Sequence, residues 1–116
     1  MMMTKEERDS IKQAIYEIVR TIPYGRATSY GAIAKAIGYS NMSRLVGRIM
    51  GECDSKKTNV PAHRVVNSQG ALSAKEAFGS ADEMQRLLES EGVIVVNDRI
   101  RNWKTVYWSP IEEIRL

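Results

Sequence analysis

Two short helical segments joined by a tight glycine turn constrain the fold most. Ser29 can cap a helix over "YGAIAKAI", which Gly38 can end in a left-handed conformation. Asn41 can cap a second helix over "MSRLVGRIM", and only Tyr39 and Ser40 lie between Gly38 and this cap. Two short helices with so brief a connection are typical of a helix-turn-helix.

The second of these helices has two different faces. Leu45 and Ile49, together with Met42, form a stripe that we expect to face inward. Arg44 and Arg48 lie four residues apart on another face. Such a pair is typical of a solvated cationic surface. It also fits DNA contact, because the second helix of a helix-turn-helix usually enters a groove. Both interpretations stay open at this point.

Two capping boxes predict further helices. Thr4 and Glu7 begin a first helix, which ends where "IPYG" supplies a proline and a glycine. Ser80 and Glu83 begin a later helix, which Gly92 closes. With the helix-turn-helix, the chain is therefore expected to contain three or more helices.

The C-terminal part of the chain predicts a strand pair. "VIVV" indicates a strand, "ND" its turn and "RIRNWKTVYW" the returning strand. We expect Trp103 and Trp108 to pack in the core or on this hairpin. The whole pattern predicts one α+β domain over residues 1–116, a winged-helix-like DNA-binding domain with a helix-turn-helix and a small C-terminal β-hairpin.

Charge and composition restrict the functional classes moderately. The chain has 17 Lys+Arg and 14 Asp+Glu, a net charge of +3, which permits contact with nucleic acid without requiring it. Cys53 is the only cysteine and His63 the only histidine, so we expect no disulfide, zinc site or other cofactor. No apolar run approaches the ~20 residues that span a bilayer. The first residues run into charges without the apolar core of a signal peptide. A cytoplasmic setting, away from membranes, is therefore expected.

The segment "NVPAHRVV" has the surroundings of a reactive site but lacks a nucleophile. Ala62 stands between Pro61 and His63, and no serine, cysteine or threonine adjoins this pair. His63 can be a structural hydrogen-bonding residue or a base. Arg64 can form a structural ion pair, clamp a phosphate, or do both. The residues alone leave these alternatives open.

Three segments, "IPYGRATSYGAIAKAIG", "MSRLVGRIM" and "PAHRVVNSQG", resemble the O6-alkylguanine-DNA alkyltransferases. The resemblance runs from about Ile11 to about Trp103. In that family the motif Pro-Cys-His-Arg-Val carries the cysteine that accepts the alkyl group irreversibly. Ala62 stands in place of this cysteine, as in the non-catalytic alkyltransferase-like proteins. The resemblance therefore implies no alkyl transfer, and Cys53, nine residues earlier, has no motif around it that would replace the nucleophile.

The resemblance also implies roles in DNA binding. Arg44 matches the arginine that fills the gap left by a flipped nucleotide. Tyr30 matches the tyrosine that helps to rotate the neighbouring phosphate, although an aromatic at a helix start can equally pack on the core. The second helix would lie in the minor groove, where Ser43 and Gly47 permit close approach. Arg48 would contact a phosphate or remain solvated.

A lesion pocket follows from the same resemblance. Its implied lining is Tyr30, Val60, Pro61, Ala62, His63, Arg64, Ser73 and Lys75. Ala62 would leave room for the alkyl group, Ser73 would hydrogen-bond the extruded base, and Lys75 would place a cation near the guanine or stay unengaged. The acidic partner of the histidine is expected to be lost, because the matching position is taken to be Gln85.

Three functions are compatible with these features. The first is a non-enzymatic, monomeric sensor that binds and flips O6-alkylguanine in duplex DNA through the minor groove. It would mark the lesion for nucleotide excision repair, with excision-repair proteins as partners, and lie on the nucleoid when bound. The second is a helix-turn-helix transcription regulator of undamaged DNA, which would need a dimer to read a two-fold site. The third is a residual enzyme that uses His63.

Overall fold

A computed structural model describes residues 3–73 and 82–113. Its elements in chain order are α1 (Lys5–Thr21), β1 (Thr28–Ser29), α2 (Tyr30–Ala36), α3 (Ser43–Gly51), α4 (Ser55–Thr58), a 3₁₀ turn (Ala62–Arg64), β2 (Val65–Val66), α5 (Glu83–Ser90), β3 (Val95–Val96), β4 (Arg99–Ile100), α6 (Trp103–Val106) and α7 (Pro110–Glu113). β1 pairs with β2 in parallel, and β3 pairs with β4 antiparallel. The expected α+β class, with helices and a small C-terminal hairpin, is confirmed. No helix in the described ranges is long and apolar enough to cross a membrane.

The first helix begins where the sequence predicted. The Glu7 amide donates to the Thr4 hydroxyl over 3.0 Å and thereby satisfies one of the free amides of the first turn. One face of the helix, with Ile11, Ile15 and Val19, is buried. At its start Arg8 forms an ion pair with Glu52, just beyond α3, at 2.8 Å. α1 is thus docked across the helix-turn-helix.

The helix-turn-helix forms with one change at its second cap. Ser29 caps α2 by accepting from the Ala32 amide over 3.1 Å, and Gly38 adopts the left-handed conformation with φ +88°. Asn41, however, does not cap α3. The Met42 amide donates to the Tyr39 carbonyl over 2.8 Å, so this turn delays the helix until Ser43 and Met42 takes the cap position without a side-chain bond. The predicted Asn41 cap was therefore wrong.

The predicted faces of α3 are largely confirmed. Ile49 is fully buried and Leu45 packs against the core, while Arg44 and Arg48 are exposed. Val46 is also fully buried, which the sequence argument had missed. α3 therefore presents its cations on the side away from the core.

The core consists of two clusters. The first cluster packs α1 against α2 and α3 and contains Ile11, Ile15, Tyr16, Val19, Ile22, Ile33, Ala34, Val46, Ile49, Met50, Cys53, Val60, Ala62, Val65 and Trp108. The second cluster lies between β2, α5 and the hairpin and contains Ala27, Val66, Leu72, Met84, Leu88, Val93, Val95 and Ile100. The segment around Ala62 belongs to the first cluster, and the chain passes to the second cluster between Val65 and Val66 of β2.

The hairpin is shorter than predicted. Asn97 and Asp98 both have positive φ, 53° and 61°, the geometry of a two-residue type I′ turn. The returning strand nevertheless ends at Ile100, because Asn102 turns the chain at φ 57° and α6 follows. The predicted strand over "RIRNWKTVYW" was therefore wrong beyond its second residue.

The helix before the hairpin follows the prediction at its C-terminal end. α5 ends at Ser90, and Gly92 closes it with φ +87°. Asp82 takes the N-cap position of this helix. Ser80, the other half of the predicted capping box, lies outside the described residues.

Both tryptophans are packing residues, as expected. Trp108 is buried in the first cluster, and Trp103 packs against the second. The Trp103 indole donates to the Ser68 carbonyl over 3.1 Å and covers Gly70, where a Cβ would approach the ring to 3.0 Å. Gly70 itself has φ +80°, so backbone and packing both require glycine there.

Replacing Gly70 by alanine should therefore destabilise the domain more than replacing Gly38. Gly38 has φ +88° but open space around a Cβ, so Gly38→Ala should cost about 1–2 kcal/mol from the left-handed backbone alone. Gly70→Ala should add about 1–3 kcal/mol from overpacking against Trp103. Urea unfolding of both variants measures the difference. Equal losses would contradict the packing role of Trp103.

Candidate nucleic-acid interface

The segment that carries Ala62 is fixed by the backbone on both sides. Asn59 enters it at φ 57°, a conformation that asparagine tolerates better than most residues. The Ala62 amide donates to the Val60 carbonyl over 2.8 Å, and the chain then makes the 3₁₀ turn into β2. Val60 and Ala62 are buried and Pro61 is half-buried. The predicted motif is thus a rigid, largely enclosed turn.

Tyr30 lies beside two other residues predicted for the site, Gly47 and Ser73. It starts α2 and packs against the first cluster, and a Cβ at Gly47 would lie 3.8 Å from its ring. The Ser73 hydroxyl donates to the Tyr30 hydroxyl over 3.2 Å. The ring packs on the core, as one interpretation of Tyr30 expected, while its role at a DNA phosphate stays a prediction. Burial raises the pKa of Tyr30 above 10.0, so the phenol stays protonated at neutral pH.

The cations of α3 lie on the same helix as Gly47. Arg44 and Arg48 are exposed, and neither forms an ion pair within the described part of the chain. Ser43 begins the helix and is half-buried. A Cβ at Gly47 would lie at an ordinary van der Waals distance from the Tyr30 ring, so the ring faces α3 at this position. α3 therefore offers two exposed guanidinium groups that have no ion-pair partner within residues 3–73 and 82–113, on the helix that the Tyr30 ring faces.

A second group of residues converges on Glu91. One carboxylate oxygen lies 2.5 Å from His63 Nε2 and accepts from Arg64 Nη2 over 2.9 Å. The other accepts from Arg64 Nε over 3.0 Å and from the Gly25 amide over 2.8 Å. Arg64 Nη1 donates to the Ile22 carbonyl over 2.9 Å. Arg64 thus forms a structural ion pair with Glu91, which is one of the alternatives that the sequence left open. We call these residues the Glu91 network.

The Glu91 network overturns the expectation that the acidic partner of His63 is lost. Gln85, the position taken to match it, lies on α5 and donates to Glu89 over 3.4 Å. Glu91, six residues further on and just before Gly92, is the residue that meets His63. The error was one of register along α5. The sequence signal that could have found Glu91 is its place at the helix end.

The charges of this network follow from burial and hydrogen bonding. Burial would raise the pKa of Glu91, but hydrogen bonds from Arg64, the Gly25 amide and His63 outweigh it and hold the pKa below 4.5. Burial lowers the pKa of His63 below 6.5, although Glu91 opposes this shift. Neutral His63 therefore donates its Nε2 proton to the Glu91 carboxylate at neutral pH, which is the hydrogen-bonding role expected for it.

The predicted site residues thus fall into two connected groups and one segment. Tyr30 is hydrogen-bonded to Ser73 and its ring faces Gly47, and His63 with Arg64 joins the Glu91 network. Val60, Pro61 and Ala62 form the turn described above. Lys75 lies outside the described residues, so its predicted place near the guanine stays a prediction.

Comparison with known proteins assigns the family. The sequence model described as "6-O-methylguanine DNA methyltransferase, DNA binding domain" matches residues 10–93. The chain belongs to this family. Alkyltransferase-like protein 1 of Schizosaccharomyces pombe is 33% identical over 96 residues, which cover 83% of this chain and 88% of that protein. A DNA base-flipping protein of Escherichia coli is 37% identical over 93 residues, which cover 78% of this chain and 67% of that protein.

The family assignment extends to the fold. The crystal structure of S. pombe Atl1 in complex with damaged DNA containing O6-carboxymethylguanine superimposes with a TM-score of 0.78 at 32% identity. The match covers 95% of this chain and all of that chain. The architecture of this family member is therefore that of an alkyltransferase-like protein.

Glu91→Gln should destabilise the domain and flatten its response to acid. Removing one partner of a buried ion pair leaves Arg64 poorly compensated and should cost about 3 kcal/mol at neutral pH. The stabilisation from Glu91 is complete above its ordinary pKa of 4.5 and is lost as pH falls through its lower folded value. The folded domain also loses stability as pH falls below 6.5, the ordinary pKa of His63, because burial disfavours the protonated imidazole. Urea unfolding between about pH 5 and pH 2 should show a steeper loss for the wild type than for Glu91→Gln.

The matched control is Glu89→Gln. Glu89 is an exposed carboxylate on the last turn of α5, two residues from Glu91. Its replacement should change the free energy of unfolding by less than about 0.5 kcal/mol. Equal losses in Glu89→Gln and Glu91→Gln would show that the network contributes no special stability.

Proposed function

We propose that this chain binds O6-alkylguanine in duplex DNA, rotates the damaged base out of the helix and holds it without transferring the alkyl group. The observation that carries the proposal is Ala62. It occupies the nucleophile position of the family motif, whereas His63, Arg64 and their acidic partner Glu91 are all in place. The surroundings of the reaction are present, and the sulfur that would accept the alkyl group is absent.

Losing the sulfur removes chemistry but leaves capture possible. An alanine has no lone pair that could attack an alkyl carbon. Its small side chain leaves space that a thiol would otherwise occupy. Cys53 is buried, and its sulfur contacts the Thr58 hydroxyl at 3.5 Å, so its described partner is not His63. The pocket at Ala62 then acts as a receptor.

The cationic side of α3 supports entry into DNA. Arg44 is exposed and unpaired in the described chain, and its planar guanidinium can stack on bases while donating hydrogen bonds. We assign it the space left by the flipped base. Tyr30 and Arg48 would contact phosphates, which positions the protein without reading sequence. Ser43 and Gly47 are small, so the backbone of α3 would be able to approach the floor of the minor groove closely.

The names of the relatives also support the proposed capture of a damaged base. One is named a DNA base-flipping protein, and the Atl1 structure holds damaged DNA containing O6-carboxymethylguanine. Unstacking a base costs about a few kcal/mol, and the cost is lowest for a damaged or mispaired base. A lesion would therefore flip more readily than an undamaged guanine.

Binding without removal is useful only when another system excises the lesion. We therefore propose that the bound protein, acting as a monomer, marks the site for nucleotide excision repair. The proposed setting is the cytoplasm, and on DNA the nucleoid.

The wild-type chain should bind a duplex with one O6-methylguanine more tightly than the same duplex with guanine. Fluorescence anisotropy of the two labelled duplexes measures both affinities. Affinity for both should fall with added salt, because phosphate contacts release counterions. Equal affinity for the two duplexes would contradict lesion capture. It would favour a helix-turn-helix protein of undamaged DNA.

Arg44→Ala should weaken binding to the lesion duplex by about 1–3 kcal/mol, since the arginine stacks and hydrogen-bonds in the gap. Arg86→Ala is the matched control. Arg86 is an exposed arginine on α5 whose described partner is Glu83 of the same helix. Its replacement should leave the affinity unchanged. Undiminished lesion binding by Arg44→Ala would exclude the inserted-arginine role.

A further inference from the structure

The backbone around Ser73 is hydrogen-bonded to the hairpin, and the Ser73 hydroxyl is directed at Tyr30. The preceding residue, Leu72, is buried in the second cluster, and its amide donates to the Asp98 carbonyl over 2.8 Å. The Ser73 amide donates to the Ala71 carbonyl over 3.0 Å. The backbone at Ser73 is thus anchored to the hairpin. Its hydroxyl joins two parts of the chain that are 43 residues apart.

Tyr30 is fixed from the other side. Its ring packs on the first cluster and faces Gly47 of α3. Its hydroxyl hydrogen is the atom that remains to be oriented, because an unbonded phenol has two equivalent orientations of the O–H in the plane of the ring. The contact with Ser73 at 3.2 Å supplies that orientation.

The direction of this hydrogen bond decides what Tyr30 can do next. Ser73 donates, so the Tyr30 oxygen accepts and the single phenol hydrogen stays available for another acceptor. An O–H group that accepts a hydrogen bond also becomes a stronger donor, since the two bonds polarise each other. The raised pKa of Tyr30 keeps that hydrogen on the oxygen at neutral pH.

We propose that Ser73 is a positioning residue for Tyr30, which orients the phenol O–H toward a phosphate of the bound DNA backbone. The inference rests on the proposed function. It changes the role that the sequence suggested for Ser73, since the serine acts through Tyr30 and does not read the extruded base. The Ser73 hydroxyl already donates its hydrogen to the Tyr30 oxygen.

The two roles of Ser73 give different patterns of binding. Every duplex has the phosphate, so a serine that orients Tyr30 contributes equally to damaged and undamaged DNA. A serine that hydrogen-bonds the extruded base contributes only where a base is extruded. The positioning role also requires the phenol, whereas base reading does not.

A double-mutant cycle on the full chain tests the inference. Ser73→Ala should weaken binding to an O6-methylguanine duplex and to its undamaged counterpart by the same factor, about three- to tenfold. Tyr30→Phe should weaken both by about tenfold or more, because it removes a hydrogen bond to a charged group. The double variant should bind no more weakly than Tyr30→Phe alone.

Two variants serve as controls. Ser73→Thr keeps a hydroxyl at the same position and should restore most of the lost affinity. Ser68→Ala alters an exposed serine in the preceding turn, whose contact with Trp103 uses the backbone carbonyl, and should bind like the wild type. Urea unfolding of each variant at the binding pH confirms that the comparison is between folded proteins.

Two outcomes would overturn the positioning role. One is a loss confined to the damaged duplex, and the other is a Ser73→Ala loss that persists in full in the Tyr30→Phe background. Either shows that Ser73 contacts DNA by itself. Unchanged binding by Tyr30→Phe would remove the phosphate contact and the inference with it. Lesion capture itself is judged separately, from the preference of the wild-type chain for damaged DNA.

Discussion

Glu91 accepts hydrogen bonds from groups that the sequence places far apart. Its side chain is 5% exposed, so the network around it exchanges water for protein partners almost completely. Such a carboxylate is stable only when its partners are all present, because an uncompensated buried charge is costly. By binding His63, Arg64 and the Gly25 amide at once, Glu91 joins the end of α5 to the turn after Ala62 and to the loop before β1. The position of Ala62 depends on this junction.

Capture and chemistry are separate tasks in such a site. The Glu91 network holds the turn that carries Ala62 through His63, Arg64 and the Gly25 amide, and none of these hydrogen bonds involves the side chain of residue 62. The surfaces proposed to meet DNA lie on α2 and α3. There Tyr30 is hydrogen-bonded to Ser73 and faces Gly47, and the cations of α3 are exposed. The proposed function accordingly keeps recognition of the lesion and omits the transfer step.

Local signals in the sequence predicted local structure well. The Thr4 and Ser29 caps, the left-handed Gly38 and the Asn97–Asp98 turn each depend on neighbouring residues, and each was confirmed. The misplaced cap at Asn41 shows the limit, because a backbone hydrogen bond in the turn shifted the helix start. The resemblance supplied the family and the alanine position. It did not supply the His63–Glu91 or Ser73–Tyr30 pairs, since contacts 28 and 43 residues apart depend on tertiary register.

The most direct test of the central claim follows the alkyl group. The full chain is incubated in excess with a duplex that contains one O6-methylguanine, under conditions where anisotropy shows saturated binding. DNA and protein are then separated, the nucleosides of the DNA are quantified, and the protein is weighed intact by mass spectrometry. Capture without transfer predicts that all of the O6-methylguanine is recovered and that the protein mass is unchanged. A methyl group gained by the protein, with guanine restored in the DNA, would contradict the account and identify an unrecognised nucleophile.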